Sequence, residues 1–119
     1  MLHRMNLQPG PFAAVVSGRK TVELRLWDEK RRQIRVGDVI RFARADDPSR
    51  AVEVIVTALS RFPDFAALYA SLPPGALGYA DGEPADPRDM ERYYSPDEQK
   101  KYGVVGIGIR LIGAPSLSD

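Results

Sequence analysis

The sequence predicts an α+β domain: a small mixed β-sheet of about five to six strands, curled toward a half-barrel, with short helices packed around it. Three observations carry this expectation. Segments alternating apolar and polar residues with a period of two recur along the chain, as half-buried strands do. Between them lie short stretches with helical spacing and their own start and stop residues. Their placement lacks the regular strand–helix–strand rhythm of a parallel α/β fold.

Taken in order, His3, Met5 and Leu7 alternate with Arg4 and Asn6, a first short strand. QPGPFAAVVSG sets Phe12, Val15 and Val16 on one helical face, with Pro11 suited to a first turn and Gly18 to the stop. In KTVELRLW, Val22, Leu24 and Leu26 share one side of a strand, and Thr21, Glu23, Arg25 and Trp27 form a continuous polar face on the other. DEKRRQIRVGD is too charged for a core element, and Val36-Gly37-Asp38 turns the chain into a third strand, VIRFARA. DDPSR reads as the turn of a hairpin into AVEVIVTALS, where Val52, Val54, Val56 and Ala58 share a face. Asp64 is placed to cap a helix over 64–72 whose Phe65, Leu68, Tyr69 and Leu72 fall at helical spacing. A Pro- and Gly-rich loop, 73–87, is longer than most connections and of the kind that often carries function. Asp86-Pro87 and the capping box SPDE start two short helices within 87–101. GVVGIGIRLI closes the sheet with Val105, Ile107, Ile109 and Leu111 on one face and Gly106, Gly108 and Arg110 on an outer one. Residues 113–119 read as a flexible tail, and 1–119 as a single domain.

Composition narrows the function classes. With 44% hydrophobic and 28% charged residues the chain resembles a soluble globular protein. No apolar run approaches the roughly 20 residues a bilayer requires, and the first residues lack a signal-like apolar segment. A cytoplasmic location and no membrane partner are therefore expected. The absence of cysteine excludes disulfides, thiolate metal sites and cysteine nucleophiles. The single histidine, His3, lies on an apolar strand face and reads as a satisfied core residue, and the carboxylates from Asp81 to Glu98 coincide with helix caps and solvated faces. No metal and no cofactor is expected. The net charge of +1 conceals an asymmetry: residues 1–61 carry 12 Lys and Arg against 7 Asp and Glu, while 62–119 carry 5 against 9. A basic first half is compatible with a phosphate-binding patch.

The second strand concentrates the candidate chemistry. Glu23, Arg25 and Trp27 share one face, with Lys20 at its entry. Two readings fit. The face is a solvated strip of locally paired charges, or it is a nucleobase subsite, with the Trp27 indole for stacking, Arg25 and Lys20 for phosphate or a base edge, and Glu23 to accept from an exocyclic amine. Arg19, Lys30, Arg31, Arg32 and Arg35 form either a basic rim that raises encounter rates or a solvated charged turn.

GRKTVELRL, a Gly-x-Lys-x-x-Glu-x-Arg pattern after a short helix, followed by VGDVIRF and YGVVGIGI, resembles the ASCH domain over nearly the whole chain. The resemblance implies a PUA-like β-barrel with a cleft beside the motif and RNA or modified-nucleoside ligands, and carries the family's site onto Lys20, Glu23 and Arg25. One branch, amidohydrolases acting on N4-acetylcytidine, is similar across GRKT and the arginine, but uses a threonine nucleophile three residues after the lysine. Glu23 stands there, so the hydroxyl nucleophile is missing. Another branch is linked to RNA cleavage through the lysine and hydroxyl groups, for which Tyr93, Tyr94, Ser95 and Tyr102 are candidates. The expected function is RNA or nucleotide binding. The alternatives are a hydrolase of RNA or of a nucleoside amide, with Lys20 and Glu23 catalytic, and a scaffold for a protein partner.

Overall fold

A computed structural model describes residues 1–112 of the chain; the expected tail at 113–119 lies outside the described residues. Five strands, β1 (Leu2–Leu7), β2 (Val22–Leu26), β3 (Val39–Arg44), β4 (Asp47–Phe62) and β5 (Val104–Leu111), form one sheet in the order β1-β3-β4-β5-β2. β1 runs parallel to β3 and every other pairing is antiparallel. The result is the expected mixed sheet curled into a half-barrel, with three short helices packed around it: α1 (Pro9–Val16), α2 (Phe65–Ser71) and α3 (Pro96–Tyr102). No described helix is long and apolar enough to cross a membrane.

The helices start and stop where their sequence signals lie. Prolines occupy the first turn of α1, and Gly18 follows it with a left-handed φ of 79°. The Asp64 side chain accepts from the Ala67 amide at the head of α2, and Ser95 with Glu98 completes the reciprocal capping box of α3. Gln99 on α3 is buried, accepting from the Phe65 amide and donating to the Tyr94 carbonyl, so the starts of α2 and α3 are pinned together.

Both faces of the sheet are covered, which corrects the sequence expectation for two strands. One face holds the larger core, with Phe12, Ile40, Phe42, Val54, Val105 and Ile107 among its members. The other holds a second core in which Leu24, Leu26 and Val104 pack on Phe65, Leu68 and Leu77. The β2 face bearing Glu23 is therefore not a solvated strip: Glu23 pairs with Ile107 and Arg25 with Val105 across β5, on the side of the larger core. Nor is the glycine face of β5 an outer one. A Cβ on Gly106 would sit 3.2 Å from Val22 and 3.3 Å from Leu72, so the missing side chain lets β2 and α2 close over the strand.

The β3–β4 hairpin forms, but not with DDPSR as its turn. The chain reverses at Ala45 and Asp46, and β4 begins at Asp47. Pairing shifts from Ala43 opposite Ala51 to Arg44 opposite Asp47, so Pro48–Arg50 stand out as a bulge. A bulge accommodates Pro48, which cannot donate to the ladder. The long loop is also partly ordered, by a 3₁₀ turn at Pro74–Leu77, and a second 3₁₀ turn occupies Pro87–Arg92.

Candidate functional site

β1 and β2 are the two edges of the sheet, and the half-barrel is open between them. A cleft of about 590 Å³ lies at this seam. Its floor is Lys20, Glu23 and Arg25, its β1 side includes Asn6 and Leu7, and its far wall comes from α2, the long loop and the second 3₁₀ turn.

Local folding brings the three charged residues together. Two residues apart on β2, Glu23 and Arg25 point to the same side. Lys20 precedes the strand in a segment held by two backbone bonds, Lys20 N–H to the Ala14 carbonyl and Thr21 N–H to the Ala76 carbonyl. The Lys20 Nζ then donates to Glu23 Oε1 at 3.0 Å, and Arg25 Nε to Glu23 Oε2 at 2.8 Å. The Leu24 amide donates to Glu23 Oε1 as well, and Arg25 Nη2 spans the seam to the Asn6 carbonyl at 2.9 Å. The side chains of Lys20, Glu23 and Arg25 are 9%, 4% and 13% exposed.

Burial alone would push the Glu23 carboxyl up, but the neighbouring Lys20 and Arg25 charges and their hydrogen bonds hold it below its ordinary value. For Arg25, burial acts to weaken the charge and Glu23 outweighs it, so the guanidinium stays charged. Two cations against one anion leave the floor with an excess positive charge. Glu23 already accepts from three protein donors, and Lys20 and Arg25 retain N–H groups for a ligand.

The long loop touches this floor directly. Gly78 adopts a left-handed φ of 105°, and a Cβ there would come within 3.3 Å of Lys20 Cδ. Its carbonyl accepts from the Arg19 guanidinium. A glycine at this point thus provides both the backbone turn and the space for the lysine stem.

A second polar group lines the far wall. Tyr79 Oη donates to Asp89 Oδ2 at 2.6 Å and lies 2.9 Å from Tyr69 Oη. With the Tyr79 proton committed to Asp89, Tyr69 donates to Tyr79. Burial, followed by the bonds to Asp89 and Tyr69, holds the Tyr79 hydroxyl far above its ordinary value, so it stays neutral. Tyr93, 49% exposed, and Tyr94, whose ring stacks on Phe65, also line the cleft. Burial raises the Tyr94 hydroxyl, with Arg25 opposing.

Of the residues expected from sequence, Lys20, Glu23 and Arg25 converge on the cleft and Trp27 does not line it. Trp27 is half-buried against the larger core, its ring 5.2 Å below the Arg61 guanidinium. The alternation that sets Trp27 on the face of Arg25 places it one pleat further along, near the end of the barrel. Lys30, Arg31 and Arg32 likewise lie outside the cleft lining. Arg31 pairs with Asp28 at 2.9 Å, Arg32 donates to the Trp27 carbonyl, and Lys30 is exposed. Arg19 secures the loop through Gly78. Among the candidate hydroxyls, Tyr93 and Tyr94 line the cleft, Ser95 is engaged as a helix cap, and Tyr102 packs in the second core.

Sequence reasoning missed Tyr69, Tyr79 and Asp89, which lie on three separate elements with no spacing to link them. The one available signal was the length of the loop containing Tyr79. His3 is satisfied, its Nε2 2.8 Å from Asp38 Oδ2, and this bond is the main reason the Asp38 carboxyl is lowered to about 2. Among the described residues no cluster of three His, Asp or Glu side chains is placed to hold a metal ion.

The fold is similar to that of the hypothetical protein PH0355, with 30% identity, a TM-score of 0.76, and coverage of 94% of this chain and 100% of that one. Protein PF0455 from Pyrococcus furiosus is similar at 31% identity and a TM-score of 0.69, covering 94% and 98%. ASCH from Zymomonas mobilis shares the fold at 19% identity and a TM-score of 0.64, covering 96% of this chain and 69% of that one. No curated protein matches the chain. The ASCH domain family model matches residues 5–113, and the chain therefore belongs to the ASCH domain family.

Proposed function

We propose that this ASCH domain binds single-stranded RNA or a nucleotide-like ligand in the seam cleft, with Lys20 and Arg25 meeting phosphate or base acceptors. The observation that carries the reading is the Glu23 carboxylate braced between two buried cations, which fixes both donors before any ligand arrives. Donors held in place spare a ligand part of the ordering cost of binding. Glu23 acts in this reading as the brace for Lys20 and Arg25 rather than as a contact to the base. Stacking falls to the exposed Tyr93 instead of Trp27.

A hydrolase is the rival reading, favoured by the N–H groups that Lys20 keeps for an oxyanion. It lacks support at the general base: Glu23 already accepts from three protein donors and is held below its ordinary value by two cations, and a neutral Lys20 would strip the buried carboxylate of one of them. Titrating a labelled short RNA at low and high salt, for wild type and Lys20→Gln, tests the binding reading. Affinity should fall with salt, and the substitution should cost about 1.5–3 kcal/mol, the range for a hydrogen bond to a charged group. Absence of binding at low salt, or equal affinity for the variant, refutes it. Turnover of the RNA or of N4-acetylcytidine that disappears in Lys20→Gln would favour the hydrolase. A fold loss in Glu23→Ala with no ligand found would favour a scaffold for a protein partner.

A further inference from the structure

The cleft is polarised in a way that the charged floor alone does not explain. Lys20 and Arg25 offer only donors. At the Tyr79 and Asp89 end the opposite holds. The Tyr79 proton goes to Asp89 Oδ2, and the Tyr79 oxygen receives the Tyr69 proton, so neither hydroxyl has a proton left for a ligand. Asp89 Oδ1 accepts no hydrogen bond and Asp89 makes no ion pair among the described residues. The nearby Glu83 also has one oxygen engaged, Oε1 by the Ala80 amide, but it is exposed on the loop, whereas Asp89 is half-buried and held by the tyrosine pair. Arg92 lines the cleft from the same turn as Asp89, exposed and without an ion pair to it.

We infer that Asp89, oriented by Tyr79 and Tyr69, is a specificity-determining residue that selects ligands carrying an N–H donor, such as the exocyclic amine of a nucleobase. This rests on the nucleotide-binding reading and narrows its ligand class. A simple anion satisfies the floor but meets a carboxylate at the other end. A ligand with phosphate or carbonyl acceptors on one side and an amino group on the other satisfies both. Tyr69 and Tyr79 are positioning residues: their hydrogen-bonded chain fixes one carboxylate oxygen and leaves its twin available.

Two nucleotide pairs that differ only in the amine isolate this contact. One is CMP against the pyrimidin-2-one ribonucleotide, which lacks the 4-amine; the other is AMP against the unsubstituted purine ribonucleotide. Calorimetric titration of wild type should show the amine-bearing member of at least one pair bound about tenfold more tightly, the effect of one hydrogen bond to a charged group. Asp89→Ala should abolish that preference. Tyr79→Phe should weaken it without abolishing it, because the carboxylate remains but loses the bond that orients it. A purely structural Tyr79–Asp89 latch predicts that the two variants behave alike, and that result overturns the inference. So does amine-independent binding in wild type, or a preference that survives Asp89→Ala; either leaves the nucleotide-binding reading intact if binding still needs Lys20. If none of the four nucleotides binds and RNA does not bind either, the nucleotide-binding reading itself falls, and the inference with it.

Discussion

Replacing Glu23 with Gln keeps the shape of the side chain and removes its charge, leaving Lys20 and Arg25 buried beside a neutral amide. Removing one partner of a buried ion pair costs about 3–5 kcal/mol. Gln retains one acceptor, and both cations are slightly exposed, so a loss of about 3 kcal/mol is expected. At roughly 2.1 cal/mol/K of unfolding entropy per residue, a chain of 119 residues loses about 12 °C in Tm. Because the folded Glu23 carboxyl lies below its ordinary value of 4.5, its stabilisation is complete above that pH and is lost as pH falls through the lowered folded value. The gap between wild type and variant should therefore be constant from about pH 7 to 5 and narrow in more acidic buffer. Denaturant titration followed by the emission of the single tryptophan, at several pH values, measures this. A gap below about 0.5 kcal/mol at pH 7, the range of ordinary surface changes, would refute the bracing argument, as would a gap that widens in acid.

Gly78→Ala combines a left-handed backbone with a close approach to Lys20, so it should cost about 1–2 kcal/mol and also weaken nucleotide binding. Thermal melts paired with CMP titration would expose any variant that loses neither. Trp27→Ala should lower stability by about 2–3 kcal/mol, less than a fully buried indole, while folded protein keeps its RNA affinity; an RNA-specific defect without destabilisation would return Trp27 to the ligand site. In His3→Ala the Asp38 carboxyl loses its main hydrogen bond and should titrate above about 2, in the direction of its ordinary 3.8, observable by carboxyl NMR. Stability supplied by that carboxyl, present above 3.8 and lost as pH falls toward 2, should shrink accordingly.

The β2 sequence shows why the fold was more legible than its surroundings. Period-two alternation tells which residues share a face, and it grouped Glu23 with Arg25 correctly. It cannot tell which face is wet, because that depends on what the curled sheet and α2 bring over it. The same limit applies to β5, whose glycines look like an outer surface until Leu68 and Leu72 close on Gly106. Caps were read well because they are local: Asp64, Ser95 and Glu98 act within three residues. The β3–β4 turn was displaced because Pro48 signals a break in pairing, which a bulge provides as readily as a turn. The far wall of the cleft, from Tyr69 to Tyr79 to Asp89, is assembled by tertiary packing alone.

Arg25 has a further consequence through its reach from β2 to the Asn6 carbonyl on β1. The guanidinium that faces the cleft is also a clasp between the two edge strands, which do not pair with each other among the described residues. A ligand that drew it outward would gain a contact and loosen the clasp in the same motion. Amide exchange along β1 would then rise on binding, whereas a ligand that used only the free N–H groups of Arg25 would leave the edge strand as slow to exchange as before.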